Sequence, residues 1–132
     1  MNLKELFEYL KEKDEKFYEK ILVDIDLAVK QLVSVEANAK MTIIEASKKD
    51  DKERAKKAID VLVLIKEIDR NVPISAPKYG ALYTSNDIVV LYDLKVLLSD
   101  IEDDSVKLFM DRMSAVDNDI TKLTEMMTGK NL

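Results

Sequence analysis

Three acidic residues, Glu36, Asp69 and Asp117, lie where helical spacing predicts apolar side chains. Carboxylate oxygens are the ligands that Mg²⁺ and Mn²⁺ prefer, and a site built from them needs no histidine. Convergence of the three inside a helical bundle would predict a metal-dependent hydrolase. If each acid instead pairs with a nearby base at the edge of an apolar stripe, its role is structural. A third interpretation is that such a buried polar residue fixes the register of one helix against another.

Two further acidic pairs, Glu5 with Glu8 and Glu12 with Glu15, have i, i+3 spacing. In this respect the chain resembles the all-α nucleotide pyrophosphohydrolases, whose acidic pairs along helices imply Mg²⁺ or Mn²⁺. An enzyme of that kind is our alternative function. The pairs lie in a segment of alternating Lys and Glu, and any amphipathic helix produces such spacing freely. Our leading expectation is therefore no catalytic residue, no metal and no cofactor.

The chain of 132 residues contains no histidine and no cysteine. This excludes Ser-His-Asp and Cys-His catalysis, the Cys/His zinc classes and the Glu-x-x-His di-iron site. A net charge of -5 argues against a general nucleic-acid binder. Charged residues come too early for a signal peptide and no apolar run exceeds five residues, so we expect a cytoplasmic protein without a membrane contact.

Only two glycines and two prolines occur, while 36% of the residues are charged. Such a shortage of turn residues favours long helices. We predict one domain over residues 1–132, an all-α antiparallel bundle of four to five helices with a central hydrophobic helix at about 86–101. We also predict a helix break near residues 13–15, because one helix over residues 2–48 would be about 70 Å long.

The helix at 86–101 has two apolar stripes on a helical wheel. The first consists of Val90, Leu91, Leu94, Leu97, Leu98 and Ile101. The second consists of Ile88, Val89, Tyr92 and Val96. We expect the second stripe to be covered either by the first helix, through residues such as Leu6 and Phe7, or by a second copy of the protein.

The last helix has a heptad seam with alternating steps of three and four: Val106, Phe109, Met113, Val116, Ile120, Leu123 and Met127. Three heptads are short for a coiled coil, so the seam fits packing inside the bundle as well as pairing with another copy. We take four of its residues as interface candidates beside the second stripe: Phe109, Met113, Val116 and Ile120.

Residues 71–85 hold both prolines and one glycine, and form the longest predicted connection. Long loops in small domains are often functional. Lys78, Tyr79 and Tyr83 make this loop a binding candidate, because tyrosine combines an apolar ring with a hydroxyl group. The same tyrosines would equally close the open end of the bundle.

Charge is unevenly distributed along the chain. Residues 48–57 hold six bases and three acids, whereas residues 100–119 hold seven acids and two bases. These two segments face each other either within the bundle or between copies. Residues 50–53 and the acidic corner at 100–104 also predict helix N-caps.

The absence of catalytic motifs and the surplus of apolar helix surface favour a non-enzymatic function. We predict a small acidic helical protein that acts through protein–protein interaction, as an adaptor, inhibitor, immunity or assembly-chaperone protein. Its expected partner is another protein or a second copy of itself, with no nucleic acid involved.

Overall fold

The computed structural model describes residues 3–69 and 85–128, without the side chains of Leu3, Lys4, Asp69 and Ser85. These ranges form five α-helices and no strand: α1 (Leu3–Lys13), α2 (Glu15–Lys48), α3 (Lys52–Asp69), α4 (Ser85–Leu97) and α5 (Asp104–Thr128). The all-α bundle expected from the composition is confirmed. No helix within the described ranges combines the length and apolarity that crossing a membrane requires.

The break between α1 and α2 lies at Asp14, as the sequence predicted. Its side chain accepts a hydrogen bond from the backbone N–H of Phe17 at 3.1 Å and so caps the first turn of α2. Asp14 also donates its backbone N–H to the carbonyl oxygen of Leu10 at 2.8 Å. The end of α1 and the start of α2 therefore both gain a hydrogen bond at this one residue, and the helix is interrupted without Gly or Pro.

The turn between α2 and α3 is short and forces a left-handed backbone at Asp50, where φ is 55°. Asp51 then donates its backbone N–H to the carbonyl oxygen of Ala46 at 2.8 Å, and its side chain accepts from the N–H of Arg54 at 3.2 Å. The N-cap of α3 is therefore Asp51, one residue later than a capping box from Asp50 to Glu53 predicts. Asp50 cannot cap α3 because it is the left-handed residue that ends α2.

The acidic corner between α4 and α5 caps the last helix, as expected. α4 ends at Leu97, four residues earlier than the predicted boundary. Asp103 accepts a hydrogen bond from the backbone N–H of Ser105 at 2.9 Å. The carboxylate charge also lies at the positive end of the α5 dipole, which stabilises the helix start.

One hydrophobic cluster contains buried residues of all five helices. α2 packs against α1, α3 and α5, whereas α4 packs mainly against α3 and less extensively against α5. α2 therefore packs most extensively among the described helices, and α4, which the sequence predicted as the central helix, packs less extensively than α2. The first stripe of α4 faces the core, with Val90, Leu91, Leu94 and Leu98 buried.

Candidate interaction surface

The second stripe of α4 divides between core and solvent. Ile88 is buried in the hydrophobic cluster, whereas Val89 is 55% exposed and Val96 is 73% exposed. Tyr92 is half-buried, and its hydroxyl group donates a hydrogen bond to Asp117 of α5 at 2.9 Å. Of the two alternatives for covering this stripe, coverage by the first helix does not hold for Val89 and Val96, because α1 packs on α2 and α5.

The seam of α5 faces the core of its own chain. Phe109, Met113 and Val116 are fully buried, and Ile120 is half-buried against the same cluster. Phe109, Met113 and Val116 therefore have no surface left for a second copy. Their assignment to an intermolecular interface is corrected to packing inside the bundle, whereas Ile120 keeps part of its surface exposed.

A second outward stripe, on α3, was missed at the sequence level. Ile59 is 48% exposed and Val63 is 55% exposed, although both lie in a helix whose sequence pattern predicts packing against the core. The stripe follows steps of four and three, with the two apolar residues between lysines, and all its members are exposed: Lys52, Lys56, Ile59, Val63 and Lys66. The lysines made it resemble an ordinary solvated face, which is why the spacing alone did not identify it.

The matching stripe on α4 has apolar and acidic members. Its last member, Asp100, lies beyond the end of α4 at Leu97. Every member is exposed: Asn86, Val89, Asp93, Val96 and Asp100. We call the α3 set the basic stripe, the α4 set the acidic stripe, and the two together the α3/α4 face.

Two grooves border Val96, so that its side chain forms a ridge between them. One groove of ≈ 480 Å³ lies between α3 and α4 and is lined by Asp60, Val63, Leu64, Asp93, Val96 and Leu97. The other, also ≈ 480 Å³, runs toward α5 and is lined by Tyr92, Asp93, Lys95, Val96, Ser99 and Met110. The combination of an exposed apolar ridge and adjacent apolar grooves is the surface relief that helix packing requires.

Of the three acids on apolar stripes, two can be located by their side chains. Glu36 is half-buried, with its Oε2 atom 3.9 Å from Nζ of Lys40. Asp117 accepts from Tyr92, as described above, and the side chain of Asp69 lies outside the described residues. Among the described residues, no group of three or more Asp, Glu, His or Cys side chains could hold a metal ion. The hydrolase alternative thus gains no specific support here.

A polar cluster between α2 and α5 went unnoticed in the sequence. Nζ of Lys20 lies 2.8 Å from Oδ2 of Asp24 and 2.9 Å from Oδ1 of Asp119. The side chain of Asp119 is only 6% exposed, and its Oδ2 atom has no hydrogen-bond partner. Because 99 residues separate Lys20 from Asp119, no local pattern could have indicated this contact.

Burial raises the pKa of Asp119 to about 6, and its hydrogen bond with Asp24 acts in the same direction. Burial also acts on Asp24, but the hydrogen bonds to Asp119 and Lys20 outweigh it and lower the pKa of that carboxyl group. The same contacts, first with Asp24 and then with Asp119, raise the pKa of Lys20 to about 12. The two carboxyl groups therefore titrate as a pair that shares a proton in mildly acidic solution.

The basic segment at 48–57 and the acidic segment at 100–119 meet within the bundle. Lys57 forms an ion pair with Asp100, which lowers the pKa of that exposed carboxyl group. A groove of ≈ 620 Å³ at this end lies between α2, α3 and the corner before α5. Charged residues at the rim of this groove also pair with one another: the guanidinium group of Arg54 lies 3.8 Å from Oε2 of Glu45.

The loop candidates Lys78, Tyr79 and Tyr83 lie outside the described residues. Comparison with known proteins gives no match, whether to a protein-family model, to a curated protein or to a solved structure. The surface and charges of this chain are therefore the basis for any statement about its function.

Proposed function

We propose that the protein acts by binding protein rather than by catalysis, and that it associates with a second copy through the α3/α4 face. The observation that carries this proposal is the exposure of Val89 and Val96 on α4 beside Ile59 and Val63 on α3. Four aliphatic side chains on adjacent helices are exposed to water, and two of them, Val63 and Val96, line the same groove. Exposed apolar residues that lie together mark interaction sites.

The surrounding relief supports the same conclusion. Other exposed apolar residues occur on α1, α2 and α5, among them Val33, Ile44 and Leu108, but none of these three lines the grooves beside Val96. The α3/α4 face instead offers ridges and grooves from two neighbouring helices, so a pair of helices from another molecule can interdigitate with it. An interaction protein of this type includes adaptors, inhibitors, immunity proteins and assembly chaperones.

Light scattering coupled to size exclusion, over a wide concentration range, tests the proposal. We expect the wild type to move toward about 30 kDa, twice the 15.1 kDa chain, as concentration rises. Val96→Glu should remain a monomer, because docking would bury an unpaired carboxylate. Its helical circular dichroism should be unchanged, since the side chain is 73% exposed in the monomer.

Val33→Glu is the matched control, because Val33 is 48% exposed on α2 and outside the α3/α4 face. It should associate like the wild type. A wild type that stays monomeric at every concentration would refute self-association, and loss of the dimer in both variants would remove the assignment to this face.

A further inference from the structure

The charges of the α3/α4 face are segregated by helix. The basic stripe on α3 carries three lysines and no acid, and the acidic stripe carries Asp93 and Asp100 without a base. No ion pair within the described part of the chain involves Lys52, Lys66 or Asp93. Lys56 is paired with Asp60 of α3 at 3.6 Å, and Asp100 is paired with Lys57. Among the described residues, the stripe charges without an ion-pair partner are therefore Lys52 and Lys66 on α3 and Asp93 on α4.

α3 and α4 run antiparallel. Lys57, near the start of α3, pairs with Asp100, just beyond the end of α4. Val63 and Val96 line the same groove, so these two residues lie at a similar height along the helices. The two stripes are thus side by side and opposite in direction.

Two copies can join this face by a twofold axis in one of two limiting orientations. An axis across the helices places α3 on α3 and α4 on α4, so lysines oppose lysines and aspartates oppose aspartates. An axis parallel to the helices places α3 of each copy on α4 of the other, so every lysine stripe meets an aspartate stripe. Like charges in contact are costly, and complementary ones set the register.

We propose that the protein forms a twofold dimer in which α3 of each copy lies antiparallel on α4 of the other, with the basic stripe against the acidic stripe. This arrangement rests on the self-association proposed above and names its geometry. A parallel axis keeps each residue at its own height, so Val63 of one copy faces the part of α4 around Val96 of the other. Val63 and Val96 of the two copies then form the apolar centre of the contact.

Charged residues flank this centre at both ends. One turn beyond Val63, Lys66 lies level with Asp93 of the second copy. At the other end, Lys56, which pairs with Asp60 in its own chain at 3.6 Å, approaches Asp100 of the second copy. The carboxyl group of Asp100 is 72% exposed despite its contact with Lys57, so it has room for a second ammonium group. These two pairs, each repeated by the symmetry, determine which helix lies on which.

Crosslinking between single-cysteine variants tests the arrangement, because the full chain has no cysteine of its own. We expect a mixture of Val63→Cys and Val96→Cys proteins to give a covalent dimer with a short bismaleimide reagent. Each variant alone should give little, because α3 does not meet α3 and α4 does not meet α4. A Val33→Cys protein, on α2, is the control for random collision.

The outcomes separate the two proposals. Strong crosslinking of Val96→Cys with itself, in a protein that light scattering shows to be a dimer, would overturn the arrangement and leave self-association intact. A chain that is monomeric by light scattering and uncrosslinked in every mixture would overturn both.

Charge reversal supplies a second readout that does not depend on cysteine geometry. Asp93→Lys should weaken the dimer roughly tenfold, and Lys66→Glu should do the same. The double variant should recover most of the loss, because it restores opposite charges across the contact. Asp111→Lys, at an exposed position on α5, is the matched control for net charge. Additive losses in the double variant would contradict the proposed pairing.

Discussion

The seam of α5 lies in the core, with Phe109, Met113 and Val116 fully buried, whereas the acidic stripe of α4 leaves Val89 and Val96 largely in solvent. Both stripes have helical spacing and aliphatic members. The difference lies in their neighbours: α5 packs along α2, but α4 has 13 residues and rests mainly on α3. Periodicity identifies a helix with an apolar side, and the packing of the other helices decides whether that side is buried or exposed to solvent.

The largest effect should come from truncating one side chain in each region. Met113→Ala removes a fully buried side chain, so we expect a loss of about 2–5 kcal/mol in the free energy of unfolding. Val96→Ala should change the free energy of unfolding of the monomer by less than about 0.5 kcal/mol, because the side chain is already in water. Urea unfolding at a concentration that keeps the chain monomeric measures both. Equal losses in the free energy of unfolding for Met113→Ala and Val96→Ala would contradict the difference in burial between the two regions.

The buried region also contains a charge, which Asp119→Asn tests. The raised pKa of Asp119 means that its protonated form favours the folded state. This contribution is fully present below pH 3.8 and is lost as the pH rises through about 6. Asparagine keeps the neutral, hydrogen-bonding form, so the variant should be on the order of 1 kcal/mol more stable than wild type at pH 7.

The advantage of Asp119→Asn should disappear near pH 4, where the wild type is protonated as well. Urea unfolding at several pH values between 4 and 7 measures this. Asp111→Asn, at an exposed position on the same helix, is the control for the loss of one negative charge. If the free energy of unfolding of the wild type rose steadily from pH 4 to pH 7, the shared proton would be contradicted. Such a rise is expected for a carboxyl group whose pKa is lowered on folding, not raised.

A smaller effect than that of Met113→Ala should come from Tyr92→Phe, at the boundary between the two regions. The variant removes the hydroxyl group that donates to Asp117 and leaves the ring in place. Since the pair is half-buried and water can replace the donor, we expect a loss of about 0.5–1.5 kcal/mol. Thermal unfolding followed by circular dichroism measures it. Dimerisation should persist, and its loss would place Tyr92 inside the interface instead of at its border.

Local features of the fold were predictable from the sequence. The break at Asp14 follows from a capping residue inside a charged segment, and the stop before α5 follows from the acidic corner at Asp103. The cap of α3 was misplaced by one residue, because Asp50 and Asp51 are chemically equivalent in a pattern. Only the backbone shows that Asp50 takes the left-handed conformation.

Long-range features were less predictable. The seam of α5 and the second stripe of α4 have the same periodicity, so their different burial depends on tertiary packing. The basic stripe of α3 was missed because lysines dominate it, and lysine usually indicates solvent. The contact of Lys20 with Asp119 joins two helices from opposite ends of the chain, and no spacing rule relates such residues.

The pairing of α2 with α5 has a consequence for the speed of folding. α2 and α3 are joined by a short turn, so their contacts form by local search within a hairpin. Gln31 and Lys20 instead reach residues 74 and 99 positions away on α5, and closing a loop of that size costs chain entropy before any contact compensates. The α2–α3 hairpin is thus the natural nucleus, and the docking of α5 sets the rate at which the bundle closes.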